Sequence, residues 1–359
     1  MYEHGGNIYL HKNCIDFSSN MNCLGTPDGV KTAMKRAVDE CWHYPDPSYD
    51  KLKKAIAERE GVRPEQIYPS NGASQLIFSL IGALKPGKAL VFTPSFYEFE
   101  RALKYYKWQT YTYPLSPDNG FVCPTPDELI GNVPVGGLQL VMLCNPGSPT
   151  GHLINKAWMR RFIRACADRG IMVLLDECYM DFVVDSRRNS MAKDVDEYDN
   201  LFVVKSFTKF YSLAGVRIGY AVTSSKNLIR RMVAASQPWA VDLVAQEAGI
   251  ACCNEEAFDD RSRRFIDEEK VYLTEGLQSL DFRVFDSATN FLLVHVPAEL
   301  SPRTLGRNML QRGYLLRNCE NYRDLDFGFY RIAVRGRLDN ESLLYELKSR
   351  NKSVSTAVG

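Results

Sequence analysis

Two runs in this chain are apolar almost without interruption: Leu138-Gln139-Leu140-Val141-Met142-Leu143 and Ile171-Met172-Val173-Leu174-Leu175. A strand turns alternate residues to opposite faces, so a run like these needs cover on both faces. A parallel sheet with helices on each side supplies that cover. The flanking sequence provides the helices. Apolar spacing predicts them at 28–40, 50–60, 74–84, 97–106, 155–169 and 225–235. Between them fall strands at 88–92, 109–113, 138–143, 171–175, 201–205 and 217–223. After Pro238 the alternation is less regular. Helices are expected at 241–253, 256–279 and 338–350, with strands at 282–285, 290–295, 314–317 and 329–334. The chain therefore divides into an N-terminal arm (1–35) that packs with the smaller domain, a large α/β domain (36–237), a small C-terminal α+β domain (238–350) and a polar tail (351–359).

With 359 residues the chain is long enough for two domains sharing a large core. Its 44 basic and 43 acidic residues leave a net charge of +1, which argues against a nucleic-acid or membrane-surface partner. No apolar run approaches the roughly 20 residues that span a bilayer. Met1 to Gly6 has no charged-then-apolar signal pattern, so a cytoplasmic location is expected. The 10 cysteines are scattered, with no C-x-x-C and no clustered histidine, and read as reduced thiols rather than disulfides or a metal site.

Ligands of open α/β sheets bind beyond the carboxyl ends of the strands. Four such ends carry suggestive groups. Ser70-Asn71-Gly72-Ala73-Ser74-Gln75 leads into a helix whose free N–H groups suit a phosphate, although Ser and Asn there also read as a plain helix cap. Asp176-Glu177-Cys178-Tyr179 puts an acid at the end of a buried strand, a costly position unless the acid is ion-paired or functional. Lys205-Ser206-Phe207-Thr208-Lys209, followed by Gly215-Val216-Arg217-Ile218-Gly219-Tyr220, offers a lysine that burial would make nucleophilic and groups that would hold one anion. A solvated lysine is the plain alternative. Asn145-Pro146-Gly147-Ser148-Pro149-Thr150-Gly151 reads as a turn.

The order of these four elements resembles the fold-type I pyridoxal phosphate (PLP) enzymes of the class I and II aminotransferase family, over nearly the whole chain. The resemblance implies a mostly parallel seven-stranded sheet in the large domain and roles for individual residues. Lys209 would hold the cofactor covalently and move protons at the substrate α-carbon. Asp176 would keep the pyridine nitrogen protonated, so that the ring acts as an electron sink. Tyr179 would bond the ring O3′. Ser206, Arg217 and the backbone from Gly72 through Ala73 to Ser74 would hold the cofactor phosphate, and Phe96 would stack on the ring. Arg331 would clamp the substrate carboxylate in a two-pronged contact. Tyr44 would reach the cofactor phosphate of a neighbouring subunit, which implies a homodimer. Ser148 takes the place of the family's usual Asn before Pro-Thr-Gly; its one shorter donor forgoes a contact worth about 0.5–1.5 kcal/mol.

Within the family the likeness is greatest to the threonine-phosphate decarboxylases of cobalamin synthesis, with the histidinol-phosphate aminotransferases close by. It rests on His4-Gly5-Gly6-Asn7, Asp16-Phe17-Ser18-Ser19-Asn20-Met21-Asn22, Tyr44-Pro45-Asp46 and Arg317-Asn318-Cys319-Glu320-Asn321-Tyr322. Both groups handle phosphorylated substrates, so a second anion site is implied, with His4, Asn20, Arg317 and Arg335 as its residues. The expected reaction is decarboxylation of O-phospho-L-threonine, with transamination of a phosphorylated amino acid as the alternative. A cofactor-binding protein without catalysis is the reading from another class; the joint presence of Lys209, Asp176, Tyr179, Ser206, Arg217 and Arg331 argues against it.

Overall fold

A computed structural model describes residues 5–132 and 136–355. The arm contributes a two-residue strand, β1 (Ile15–Asp16). The large domain holds β2 (Ile67–Ser70), β3 (Lys88–Thr93), β4 (Gln109–Pro114), β5 (Leu138–Cys144), β6 (Met172–Asp176), β7 (Leu201–Ser206) and β8 (Gly219–Val222). The small domain holds β9 (Arg283–Val284), β10 (Phe291–His295), β11 (Tyr314–Leu315), β12 (Arg317–Asn318) and β13 (Phe329–Ala333).

The large sheet has seven strands in the order β2-β8-β7-β6-β5-β3-β4. β8 alone runs against its neighbours; the pairs from β7 across to β4 are parallel. The double cover expected of the apolar runs is present. Val141, Leu143, Val173, Leu175 and Val203 pack into one buried cluster, and Leu140, Met142, Leu174, Phe202 and Val204 into the cluster on the other face. Periodicity alone does not reveal β2, four residues that include Pro69. Proline is tolerated there because β2 is an edge strand.

The small domain has an antiparallel sheet, β12-β13-β10-β9. The stretch expected as one strand at 314–317 is two. β11 pairs in parallel with β1 of the arm, whereas β12 pairs with β13. The arm thus joins the small domain by main-chain bonds: Phe17 N–H donates to Leu315 at 2.9 Å, and Ala333 N–H donates to Phe17 at 2.9 Å. Two helices bear on the expected domain limits. The helix Asp28–Asp39 runs across the expected limit at residue 35. The helix Leu243–Cys252, assigned to the small domain by sequence, packs on Asp28–Asp39 and on the helix Asp50–Glu60 of the large one. Short helices at Pro126–Asn132 and Leu305–Gln311 also escaped the periodicity. The last helix, Arg337–Ser355, takes up the first part of the expected tail; the remainder lies outside the described residues. Among the described residues no helix is long and apolar enough to cross a membrane.

Candidate active site

β5, β6 and β7 end side by side, with Cys144 in register with Asp176 and Asp176 with Val204. Their ends, the arm and β12–β13 enclose a cavity of about 270 Å³. Of the residues singled out from sequence, Ala73, Ser74, Phe96, Ser148, Asp176, Tyr179, Lys209, Arg217, Arg317 and Arg331 line it.

Lys209 follows β7 on the short helix Phe207–Phe210. Burial, reinforced by the positive charges of Arg331 and Arg217, lowers its amine to about 8. It is not a solvated surface lysine. Lys205, four residues earlier, differs: its Nζ is held by Glu60 at 2.9 and 3.0 Å and lies 3.5 Å from Asp181. Asp176 is buried, and burial raises its carboxyl above the usual range. Its Oδ1 accepts the Cys178 N–H at 2.9 Å, and the Cys144 thiol lies 4.0 Å from Oδ2. No cation of the described residues offsets that burial, so the plain ion-pair reading of Asp176 does not hold.

The turn after β2 also departs from its plain alternative. The N-cap of the helix Ala73–Ala83 is Gly72, and no side chain caps it, so the first N–H groups remain for a ligand. Gly72 has φ of 80°, and a Cβ there would stand 2.7 Å from Nη2 of Arg217. Glycine is required both for that backbone and for the arginine beside it. Arg217 Nη1 donates to the Ala214 carbonyl at 3.1 Å. Ser206 does not line the cavity. Its hydroxyl accepts the Thr208 N–H at 3.2 Å as the cap of the lysine's helix, and it is shared with Thr208 Oγ1 at 2.7 Å. Thr208, which sequence reasoning passed over, is the hydroxyl in the cavity wall.

Opposite stand the groups from the arm and small domain. Arg331, buried on β13, donates through Nη2 to the Ser18 carbonyl at 3.0 Å and through Nη1 to Ser148 Oγ at 3.4 Å. With its amide oxygen turned inward, Asn20 accepts from Arg331 Nε at 3.2 Å and from the Tyr179 hydroxyl at 3.1 Å. Tyr179 is buried, and its phenol is pushed up to about 12 by that burial. Arg317 donates to Asn321 Oδ1 at 2.7 Å and lies 5.0 Å from the Tyr322 ring. Gly5 fits against the Ser18 carbonyl so closely that a Cβ would come within 2.2 Å of it. His4 lies outside the described residues.

One residue expected at the second anion site lies elsewhere. Arg335 is turned away from the cavity, bonded to Asp339 at 2.8 Å and to the Asp16 carbonyl at 3.0 Å. Its place in an i,i+4 pair is a helix-start contact that its sequence spacing to Asp339 would have disclosed. Tyr44 is 79% exposed and stacks on Trp239 at 4.5 Å, outside this cavity. Ser18, Ser19, Glu98, Cys144, Cys178 and Tyr322 are among the wall residues that were not foreseen.

Residues 12–346 match the family model described as aminotransferase class I and II. The chain is 30% identical to a threonine-phosphate decarboxylase of Salmonella typhimurium over 96% of each chain. It is also 30% identical to a histidinol-phosphate aminotransferase of Moorella thermoacetica, covering 94% of this chain and 85% of that one. Among solved structures, the histidinol-phosphate aminotransferase of Clostridium acetobutylicum superposes with a TM-score of 0.86 at 27% identity, over 94% of this chain and 99% of that one. An extended match to the family model, a seven-stranded sheet of the same architecture and a lysine and a carboxylate at adjacent strand ends agree: the chain belongs to the class I and II aminotransferase family of enzymes.

Proposed function

We propose that this protein holds PLP on Lys209 and decarboxylates O-phospho-L-threonine to aminopropanol phosphate and CO₂. One observation carries the cofactor assignment: a low-pKa lysine and a buried carboxylate without a cation face one cavity whose rim offers uncapped helix N–H groups and Arg217. The cradle at Gly72, which a Cβ would fill, supports a phosphate in that position. When bound, the cofactor supplies an electron-accepting ring that stabilises charge left on the α-carbon.

The chain's own residues do the rest. Lys209 Nζ would be the covalent anchor and would deliver the proton that takes the place of the departing CO₂ on the α-carbon. Asp176, kept from other cations, holds a proton on the ring nitrogen. Tyr179, with Asn20 behind it, orients the ring oxygen, and Phe96 covers one ring face. Thr208, Arg217 and the N–H groups of Ala73 and Ser74 bind the cofactor phosphate, with Ser206 acting through the helix it caps. Arg331 and Ser148 receive the substrate carboxylate, and Arg317 with the arm at His4 and Asn20 receives the substrate phosphate. Arg335 acts through its hold on Asp16, which in turn binds Ser18 and Ser19. Tyr44 serves the partner's site in a homodimer.

The near-complete coverage of the Salmonella decarboxylase supports the reaction, and the likeness to the Clostridium structure supports transamination of a phosphorylated amino acid as the second reading. Which α-carbon bond breaks depends on how the two anion anchors orient the substrate. Incubation with O-phospho-L-threonine and no 2-oxo acid separates the readings. Sustained CO₂ release supports decarboxylation. Turnover of histidinol phosphate only when 2-oxoglutarate is supplied would replace it with transamination.

A further inference from the structure

The loop between β12 and β13 belongs to the small domain, yet its tip is fastened to the large one. Arg323 donates to Glu100 through Nε at 3.0 and 3.1 Å and through Nη2 at 2.7 Å. Glu100 sits in the first turn of the helix Glu98–Tyr105. The next residue, Asp324, accepts the hydroxyl of Thr93, the last residue of β3. At the loop's base, Leu325 is buried with Phe121, Phe285, Leu293, Cys319 and Phe329. Between base and tip stands Tyr322, which lines the cavity under the Arg317 guanidinium. It is also close enough to act electrostatically on both Arg331 and Tyr179.

Three consecutive residues thus carry two tasks: one faces the cavity and two grip the other domain. The forked geometry of Arg323 on Glu100 is the strong, orienting form of an ion pair. Both partners are partly solvated, at 53% and 21%, so the pair adds little to fold stability, and its effect is on where the loop sits. The loop in turn fixes Arg317 through Asn321.

We propose that Arg323 and Asp324 are positioning residues. By binding Glu100 and Thr93 they set Tyr322 and Arg317 at the substrate end of the cavity, where Tyr322 selects for a phosphorylated substrate. The assignment rests on the function proposed above. Domain closure and completion of the substrate pocket then become one event, because the residues that join the domains are neighbours of the residue that contacts substrate.

The test uses the holoenzyme with Glu100→Ala, Arg323→Ala and the exchanged pair Glu100→Arg with Arg323→Glu. Each single variant should raise KM for the phosphorylated substrate about five- to tenfold with kcat within about twofold, and the exchange should restore most of it. Single variants at the wild-type KM, or an exchanged pair as impaired as the singles, overturn the proposal. Tyr322→Phe should raise KM in the same way without altering the melting temperature; an unchanged KM removes Tyr322 from its role. A second readout needs no turnover. Trypsin should cut the bond after Arg323 about fivefold faster in Glu100→Ala, since cleavage follows the open population. An unchanged rate at that bond sinks the latch. If the wild-type enzyme turns over neither O-phospho-L-threonine nor histidinol phosphate, the proposed function fails, while the proteolysis still decides the latch.

Discussion

Lys205 and Lys209 stand at the end of one strand, and their surroundings give them different chemistry. Burial disfavours the charge of both. At Lys205, Asp181 and Glu60 outweigh that burial and raise the amine, so it stays protonated. At Lys209 the positive charges of Arg331 and Arg217 reinforce that burial, and the opposing pull of Cys178 and Asp16 does not offset it. Only Lys209 is then a nucleophile near neutrality. Lys209→Ala should abolish the borohydride-fixable cofactor linkage with the fold retained; a surviving adduct, mapped by peptide mass, would move the anchor. The sign of the pH effect follows from the lowered amine. The reactive form is deprotonated, so the rate of cofactor capture by the apo-protein should rise with pH and level off above about 8. Stopped-flow absorbance that keeps climbing toward 10.5, the ordinary lysine value, would show a solvated amine. Asp176→Ala should lower turnover about 100-fold or more, because a proton on the ring nitrogen would lose its partner; a rate within a few-fold of wild type would make Asp176 structural.

At the level of elements, β7, the helix Asp50–Glu60, the turn after β6 and the helix Glu256–Gln278 are tied together by a buried ionic cluster. Lys205 on β7 binds Glu60 and Asp181, and Arg59 binds Asp259 at 2.9 Å. Removing one member leaves its partners buried and uncompensated. Lys205→Met should therefore cost about 3–5 kcal/mol in urea or thermal unfolding, although it touches no ligand. A loss within experimental error would show that water enters the cluster. Gly72→Ala tests the neighbouring element: displacing Arg217 should weaken cofactor phosphate binding about tenfold or more, as expected for a lost charged hydrogen bond. The central strands were legible because an unbroken apolar run admits few folds; the lysine and carboxylate were singled out by the family resemblance of the ordered motifs, since a place at a strand end alone left a solvated lysine and an ion pair open. What sequence hid was long-range pairing. The split of 314–317 into β11 and β12 depends on partners far away in the chain, and Ser206 and Thr208 are told apart only by which hydroxyl the helix consumes.

For the whole molecule, the stacked pair Tyr44 and Trp239 is exposed, a surface that the second copy of the proposed homodimer would cover. Light scattering should give a dimer, and Tyr44→Ala should loosen the cofactor about tenfold while the dimer persists; a monomer with full cofactor affinity would exclude a shared site. The arm has its own consequence for motion. Asn290 grips the Asn20 carbonyl at 2.9 Å from the small domain, whereas the Asn22 N–H donates to Lys209 at 3.0 Å in the large one. Only Met21 lies between these two clasps. The Asn22 side chain reaches both halves as well, donating to the Phe210 carbonyl and to Ser262 Oγ at 2.9 Å, so a swing of one half against the other would strain this stretch of arm and draw the Asn20 amide off the Tyr179 hydroxyl. Opening the pocket and loosening the hold on Tyr179 would thus be coupled through one short length of arm.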